Sequence, residues 1–141
     1  MIEIDEKKKI LLAKLAEDYD LELLILFGSQ VTGKTHKESD FDIGYVSKKD
    51  ITVEDHVKMH PILMNVLGIK SELLISLTDI KTAPPLLLKE MFEKGKHIVL
   101  YTKDRTIYDE YAIYSMKNYL DSRPLFDLRD FLIDKYFATH A

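Results

Sequence analysis

The stretch that decides the fold is LFGSQVTGKTHKESDFDIG, residues 26–44. It opens at the end of Leu21 to Phe27, a nearly continuous apolar run that predicts a buried strand. Gly28 predicts a tight turn after this strand, and Ser29 is placed to cap a short helix that ends at Gly33. The stretch therefore begins as a strand that passes through a turn into a helix.

Polar and apolar side chains alternate at the other end of this stretch. Apolar Phe41, Ile43 and Tyr45 alternate with Asp40 and Asp42, which is the periodicity of a second strand. A strand places both carboxylates on one face, while Phe41 and Ile43 enter the core. Two ionised carboxylates so close repel each other, and a divalent cation removes that conflict. Because Mg²⁺ prefers hard oxygen ligands that it shares with substrate phosphates, the pair predicts a magnesium site.

The turn before the two aspartates suits a phosphate group. Backbone N–H groups at a helix N-terminus favour phosphate, and the Ser29 hydroxyl adds one more hydrogen-bonding group. Gly28-Ser29 alone is more often a plain turn and cap, but beside two aspartates it favours phosphate binding. Lys34 and His36, in the intervening loop, are equally consistent with a phosphate contact and with a solvated loop. We therefore expect a nucleoside triphosphate and Mg²⁺ to bind together here.

The rest of the chain is predicted to alternate between helices and strands. Further helices are predicted over residues 8–19, 52–67 and 83–95, and further strands over residues 71–77 and 97–101. Residues 106–140 are predicted to form two helices hinged near Pro124, because a proline disfavours helical geometry at the residue before it. This order predicts an α/β (α+β) fold with helices packed on a mixed sheet. We expect a core over residues 1–104 and a helical extension of the same domain over residues 105–141.

Composition excludes several classes of function. The net charge of -4 provides no global basic field for DNA or RNA, so direct nucleic-acid binding is not expected. The absence of cysteine excludes a disulfide framework, a thiol nucleophile and a cysteine zinc site. The sequence has neither an apolar leader nor an apolar run long enough to span a membrane. We expect a cytoplasmic protein.

Gly28-Ser29, ten further residues and then Asp40-x-Asp42 resemble the signature of the DNA polymerase β nucleotidyltransferase superfamily. With its short length, the chain is most similar to the minimal nucleotidyltransferases (MNT), which include the antitoxins of HEPN–MNT toxin–antitoxin pairs. Looser similarity runs through residues 84–101 and 119–125. The resemblance implies the nucleotidyltransferase fold, two Mg²⁺ ions and ATP as the substrate.

The superfamily uses a third carboxylate on a neighbouring strand, usually an aspartate. Glu72 offers a carboxylate on the predicted strand over residues 71–77, but its extra methylene moves the oxygens by about one bond length. A displacement of about 1 Å can lower the rate roughly a hundredfold. Asp79 is a rival that follows the strand, where a loop or cap role is expected. The predicted catalytic and metal-binding residues are Asp40, Asp42 and Glu72, and the predicted nucleotide-binding residues are Gly28, Ser29 and Lys34.

By this resemblance, the protein transfers AMP from ATP to a tyrosine of a cognate HEPN RNase toxin, which forms a hetero-oligomer with it and is silenced. Two alternatives remain open. One is an antitoxin that masks the toxin by binding alone, which the change from aspartate to Glu72 favours. The other is a nucleotidyltransferase acting on small molecules such as aminoglycosides, although those enzymes generally carry an additional helical domain that 141 residues hardly accommodate.

Two weaker patterns lie elsewhere. His56 and His60 are four apart on a predicted helix, but without an evident third ligand they are expected to be solvated rather than metal-bound. Four tyrosines at helical spacing are expected to line the inner face of a helix: Tyr108, Tyr111, Tyr114 and Tyr119.

A second apolar stripe follows the tyrosines, formed by Leu125, Leu128, Leu132 and Tyr136 and widened by Phe126, Phe131 and Phe137. So much aromatic surface on the terminal helices exceeds what a small sheet covers. Because interfaces favour Tyr and Phe, we expect a protein partner here.

Overall fold

The structure, a computed structural model, describes residues 4–28, 31, 41–69 and 75–140, with side chains through residue 139. Its sheet is built from four strands: β1 (Leu21–Phe27), β2 (Phe41–Ser47), β3 (Ile75–Asp79) and β4 (His97–Thr102). Their order across the sheet is β3-β2-β1-β4, so β1 and β2 are the central strands. β2 is parallel to β3, whereas β1 is antiparallel to both β2 and β4. The predicted mixed sheet is confirmed.

The described residues form four α-helices: α1 (Glu6–Tyr19), α2 (Val53–Leu67), α3 (Pro85–Phe92) and α4 (Arg105–His140). α2 begins with a capping box, in which the Thr52 hydroxyl accepts from the Asp55 N–H and the Asp55 carboxylate accepts from the Thr52 N–H. It ends at Gly68, which adopts a left-handed conformation. The short helical turn Ile80–Thr82, which was not predicted from the sequence, joins β3 to α3.

Helices cover the sheet on both faces. α1 and α2 pack on one face, where their buried leucines and methionine contact Leu24, Leu26 and Ile43. α3 and the first half of α4 cover the opposite face, where Leu23 and Ile25 lie. The four consecutive β1 residues Leu23, Leu24, Ile25 and Leu26 are all 0% exposed. Burial on both faces explains why this strand is a continuous apolar run rather than an alternating one.

The prediction of two C-terminal helices is wrong, because α4 continues from Arg105 to His140 with Pro124 inside it. A proline removes one helical N–H bond, but this residue is exposed, so water can bond the carbonyl that is left without its partner. Contacts also cross the predicted hinge. The rings of Tyr119 and Phe126 are 6.2 Å apart, and Arg123 forms an i,i+4 ion pair with Asp127. Arg123, the residue before the proline, has an intrinsic preference for non-helical geometry, which is overridden by the helix on both sides of it.

Within the described part of the chain, no helix is both long enough and apolar enough to cross a membrane.

Candidate functional site

The structure describes two of the predicted site residues, Gly28 and Asp42. The other four, Ser29, Lys34, Asp40 and Glu72, lie outside the described residues. Their roles therefore stay predictions, and the site is built here from the two residues whose positions are known.

Gly28 lies at the point where β1 ends. Its φ of +86° is in the left-handed region, which glycine adopts without a steric penalty. Its carbonyl accepts a hydrogen bond from the Val31 N–H at 3.1 Å, which closes a turn directly after the strand. The predicted tight turn at Gly28 is confirmed.

The carboxylate of Asp42 lies directly against Gly28. In the antiparallel pairing of β1 and β2, Asp42 is opposite Phe27, the residue before this glycine. A Cβ atom added at residue 28 would collide with Asp42 Oδ2 and would lie 3.2 Å from its Cγ. Glycine is thus favoured here for two reasons: its left-handed backbone conformation, and the Asp42 carboxylate that lies where a side chain would begin.

Asp42 points to the face of the sheet that α3 and α4 cover. The orientation follows from Gly44, two residues further along β2, where a Cβ atom would lie 3.1 Å from Ile80 Cγ1 in the core beneath α3 and α4. Phe41 and Ile43 are buried in the core on the opposite face, as predicted. Asp42 itself is only partly buried, so its carboxylate lies at an accessible end of the sheet.

This position suits a magnesium ion. The Asp42 carboxylate is a hard oxygen donor beside a turn whose backbone is bare of side chain at Gly28, so a phosphate and a cation can approach together. Among the described residues, no group of three or more His, Cys, Asp or Glu could hold a metal ion by itself. The described part of the site therefore contributes one carboxylate, and any further metal ligand comes from elsewhere in the chain or from the substrate.

Asp79 is the last residue of β3, and its carboxylate caps the turn that follows. It accepts a hydrogen bond from the Lys81 N–H at 2.9 Å, which confirms the predicted cap role. In the pairing of β2 and β3, Asp79 is opposite Tyr45 rather than Asp42. The Asp79 carboxylate is therefore engaged as a cap and does not lie beside Asp42.

The expectation that His56 is solvated holds only in part. His56 is partly buried where α2 packs on the sheet, and its Nε2 lies 3.0 Å from the hydroxyl of Tyr45 on β2. Burial lowers the pKa of His56, and the neighbouring His60 lowers it further. The residue links α2 to the central sheet, a contact that helical spacing alone does not indicate.

A second histidine contact was not predicted at all. His97, on β4 opposite Phe27, has its Nε2 2.6 Å from the hydroxyl of Tyr108 and its Nδ1 2.9 Å from the carbonyl of Glu93. Burial raises the pKa of Tyr108, although the Arg105 guanidinium opposes this shift. The His97–Tyr108 pair anchors the first turn of α4 on β4. His97 is opposite Phe27 on β1, which in turn is opposite Asp42 on β2. No spacing in the sequence indicates the His97–Tyr108 contact, because the two partners come from different elements.

The second half of α4 exposes an apolar surface, as predicted from the sequence. This surface, the α4 apolar face, consists of Leu125, Leu128, Leu132, Ile133, Tyr136 and Phe137. Its side chains are between 44% and 68% exposed. The tyrosine prediction holds in part, since Tyr108 and Tyr111 pack on the core under α4, whereas Tyr114 is exposed.

Residues 9–106 match the family described as polymerase beta, nucleotidyltransferase. The chain therefore belongs to the polymerase β nucleotidyltransferase family, and the resemblance on Gly28 to Asp42 is confirmed at this level. No curated protein sequence matches the chain.

Several solved structures share the fold. A crystal structure of a toxin–antitoxin with AMP-PNP is 21% identical with a TM-score of 0.64, covering 92% of this chain and 98% of its own. A tri-AMPylated Shewanella oneidensis HEPN toxin in complex with an MNT antitoxin is 19% identical with a TM-score of 0.61, covering 94% and 98%. An MntA–HepT toxin–antitoxin is 18% identical with a TM-score of 0.61, covering 94% and 99%. The fold is thus similar to theirs over nearly the whole chain.

Replacing Gly28 with alanine should destabilise the protein more than the same change at Gly95. Both residues have a left-handed φ, +86° and +80°, which costs an alanine about 1–2 kcal/mol. Only at Gly28 does the new methyl group meet another atom, the Asp42 carboxylate, whereas at Gly95 nothing lies within 4 Å. Urea denaturation of both variants measures the difference in unfolding free energy. Equal losses in the two variants would show that the carboxylate does not occupy this space.

The lowered pKa of His56 predicts that the protein loses stability on acidification. The unfolded chain binds a proton at this residue near pH 6.5, whereas the folded protein binds it only at lower pH. The unfolding free energy should therefore fall as the pH drops through about 6.5. Urea midpoints at pH 7.5 and 5.5 should differ more in the parent than in His56→Gln. A His60→Gln variant, which retains His56 and its burial, serves as the control and should keep most of the parent's pH dependence, because burial is the larger cause of the shift. A His56→Gln variant with the parent's pH dependence would contradict the assignment.

Proposed function

We propose that this protein is a cytoplasmic, Mg²⁺-dependent nucleotidyltransferase that acts as the antitoxin of a HEPN RNase toxin. It transfers AMP from ATP to a tyrosine hydroxyl of the toxin and thereby silences it. The observation that carries the proposal is the contact between the Asp42 carboxylate and the Gly28 turn, in a chain of the polymerase β nucleotidyltransferase family. This contact brings a metal-binding oxygen and a phosphate-binding backbone together at one end of the sheet.

The remaining predicted residues complete this arrangement. Asp40, two residues before Asp42, adds the second carboxylate, and Glu72 is the proposed third. Ser29 and Lys34 contact the triphosphate beside Gly28. The chemistry that two bound Mg²⁺ ions supply is neutralisation of the triphosphate and of the leaving pyrophosphate.

The transfer itself needs no covalent enzyme intermediate. The tyrosine oxygen attacks the α-phosphorus of ATP, the bond from that phosphorus to the β-phosphate oxygen breaks, and the hydroxyl proton passes to solvent. The residues act by positioning the two reactants and by holding the charge that develops between them.

A protein acceptor is favoured over a small molecule by the α4 apolar face. α4 has 36 residues and is therefore about 54 Å long. Its first half packs on the core with Ile107, Tyr108 and Tyr111, whereas its second half exposes large apolar side chains. A contiguous exposed apolar surface marks an interaction site, and an enzyme acting on a small molecule has no need of one.

The solved structures of similar fold support the same partner. They are toxin–antitoxin pairs, and in one of them the HEPN toxin is AMPylated. At 18–21% identity they establish the fold alone, so the partner and the AMP transfer are our proposal for this chain. The net charge of -4 supports a protein rather than a nucleic acid as the acceptor.

The second candidate function is an antitoxin that masks its toxin by binding alone. One observation favours it: the β3 residue opposite Asp42 is Ser76, which has no carboxylate. In that case the α4 apolar face is essential and the aspartates are not.

Asp42→Asn should abolish AMP transfer. With labelled ATP, Mg²⁺ and a cognate HEPN toxin, we expect label on the toxin to fall at least about a hundredfold, because a preorganised charge at the reacting group is lost. Asp79→Asn, which removes a carboxylate outside the site, should retain the label. Undiminished label in the Asp42→Asn protein would remove this residue from the mechanism. Full neutralisation of the toxin without label would favour masking.

Leu132→Asp should weaken binding to the toxin, because it buries a charge in the α4 apolar face. The adjacent Phe131 is a matched control, since it is exposed to a similar extent, 61% against 53%, but lies outside this face. By calorimetric titration we expect at least about a tenfold loss of affinity for Leu132→Asp and a much smaller one for Phe131→Asp. Equal effects of the two substitutions would place the docking surface elsewhere.

A further inference from the structure

We propose that Ser76 is a further residue of this site, and that its hydroxyl helps to hold the divalent cation beside Asp42. The inference rests on the proposed function, since it assigns Ser76 to the same metal site. It is carried by the register of β2 and β3, which the sequence does not contain.

Ser76 is the residue of β3 directly opposite Asp42. The two strands are parallel, and their register pairs Phe41 with Ile75 and Asp42 with Ser76. Paired residues of neighbouring strands lie about 4.8 Å apart and point to the same face of the sheet. Two side chains of this length at that spacing reach a common ion or water.

The neighbours of Ser76 confirm which face it points to. Ile75 is buried in the core beneath α1 and α2, and Leu77 packs against the same core. Alternation along the strand therefore directs Ser76 to the opposite face, the one to which Asp42 points. On its other side Asp42 is opposite Phe27, which offers no polar atom. Within the described sheet, Ser76 is thus the polar side chain next to Asp42.

The hydroxyl of Ser76 is available for such a role. The residue is partly buried, and in the portion of the chain that the structure describes its hydroxyl makes no hydrogen bond to another residue. A serine hydroxyl can donate to a carboxylate while it accepts from a metal-bound water, or can bind the ion through its oxygen. Both actions would orient the Asp42 carboxylate toward the cation.

The register also shows that the β3 residue beside Asp42 is not Glu72, the predicted third carboxylate. Glu72 precedes by four residues the position that pairs with Asp42. β3 thus presents a neutral oxygen beside Asp42, where a carboxylate would bind the cation more strongly. A carboxylate at position 76 should therefore tighten metal binding, and without metal it should destabilise the protein by repulsion from Asp42.

The test measures metal binding rather than transfer. Mn²⁺, titrated into the antitoxin with a non-hydrolysable ATP analogue, is followed by the electron paramagnetic resonance of the free ion. We expect Ser76→Ala to weaken Mn²⁺ binding at least about tenfold, as the loss of an orienting partner does, and Ser76→Thr, which keeps the hydroxyl, to restore most of it. We expect Ser76→Asp to tighten binding and to lower the melting temperature in EDTA.

Thr78 provides the matched control, because it lies on the same strand and face but opposite Gly44. Thr78→Ala should bind Mn²⁺ within about twofold of the parent, and Thr78→Asp should not tighten binding. Parent-like binding by both Ser76→Ala and Ser76→Asp would overturn the inference. Asp42→Asn separates this failure from that of the proposed function. If Asp42→Asn also binds Mn²⁺ like the parent, the metal site is absent. If Asp42→Asn loses Mn²⁺ binding while Ser76→Ala retains it, only the role of Ser76 is excluded.

Discussion

The contact between the Asp42 carboxylate and the backbone of Gly28 is the constraint on which the site depends. It exists because β1 and β2 are paired at the centre of a sheet that is buried on both faces, so neither strand can shift without moving its core residues. β1 is followed by Gly28, whose left-handed backbone and missing side chain leave space for the Asp42 carboxylate of β2. The core thus determines the distance between the Gly28 turn and the Asp42 carboxylate.

Residues paired across three neighbouring strands connect the site to the proposed docking helix. Asp42 is opposite Phe27, Phe27 is opposite His97, and His97 is hydrogen-bonded to Tyr108 in the first turns of α4. The helix that exposes the α4 apolar face is therefore anchored beside the strands that carry the site. If a toxin binds that face, its distance from the nucleotide is determined by packed elements rather than by a free linker.

Much of this fold could be predicted from the sequence because its signals are local. The buried run of β1, the Thr52 cap and Gly68 end of α2, and the left-handed turn at Gly28 each depend on a few adjacent residues. One prediction was wrong and another held only in part, because contacts with other residues override local preference. Pro124 stays within a helix whose contacts cross it, and His56 is held by Tyr45, eleven residues away on another element.

The sequence by itself determined that two aspartates alternate with core residues after a glycine turn, and hence that Asp42 points away from the core of Phe41 and Ile43. A period of two assigns each side chain to a face but carries no information about which residue of the next strand lies opposite. Only the tertiary structure decided that Asp42 lies against Gly28 and that Ser76 is its partner on β3. Register is decided by the packing of Ile75 and Leu77 against α1 and α2, a contact between residues far apart in the chain.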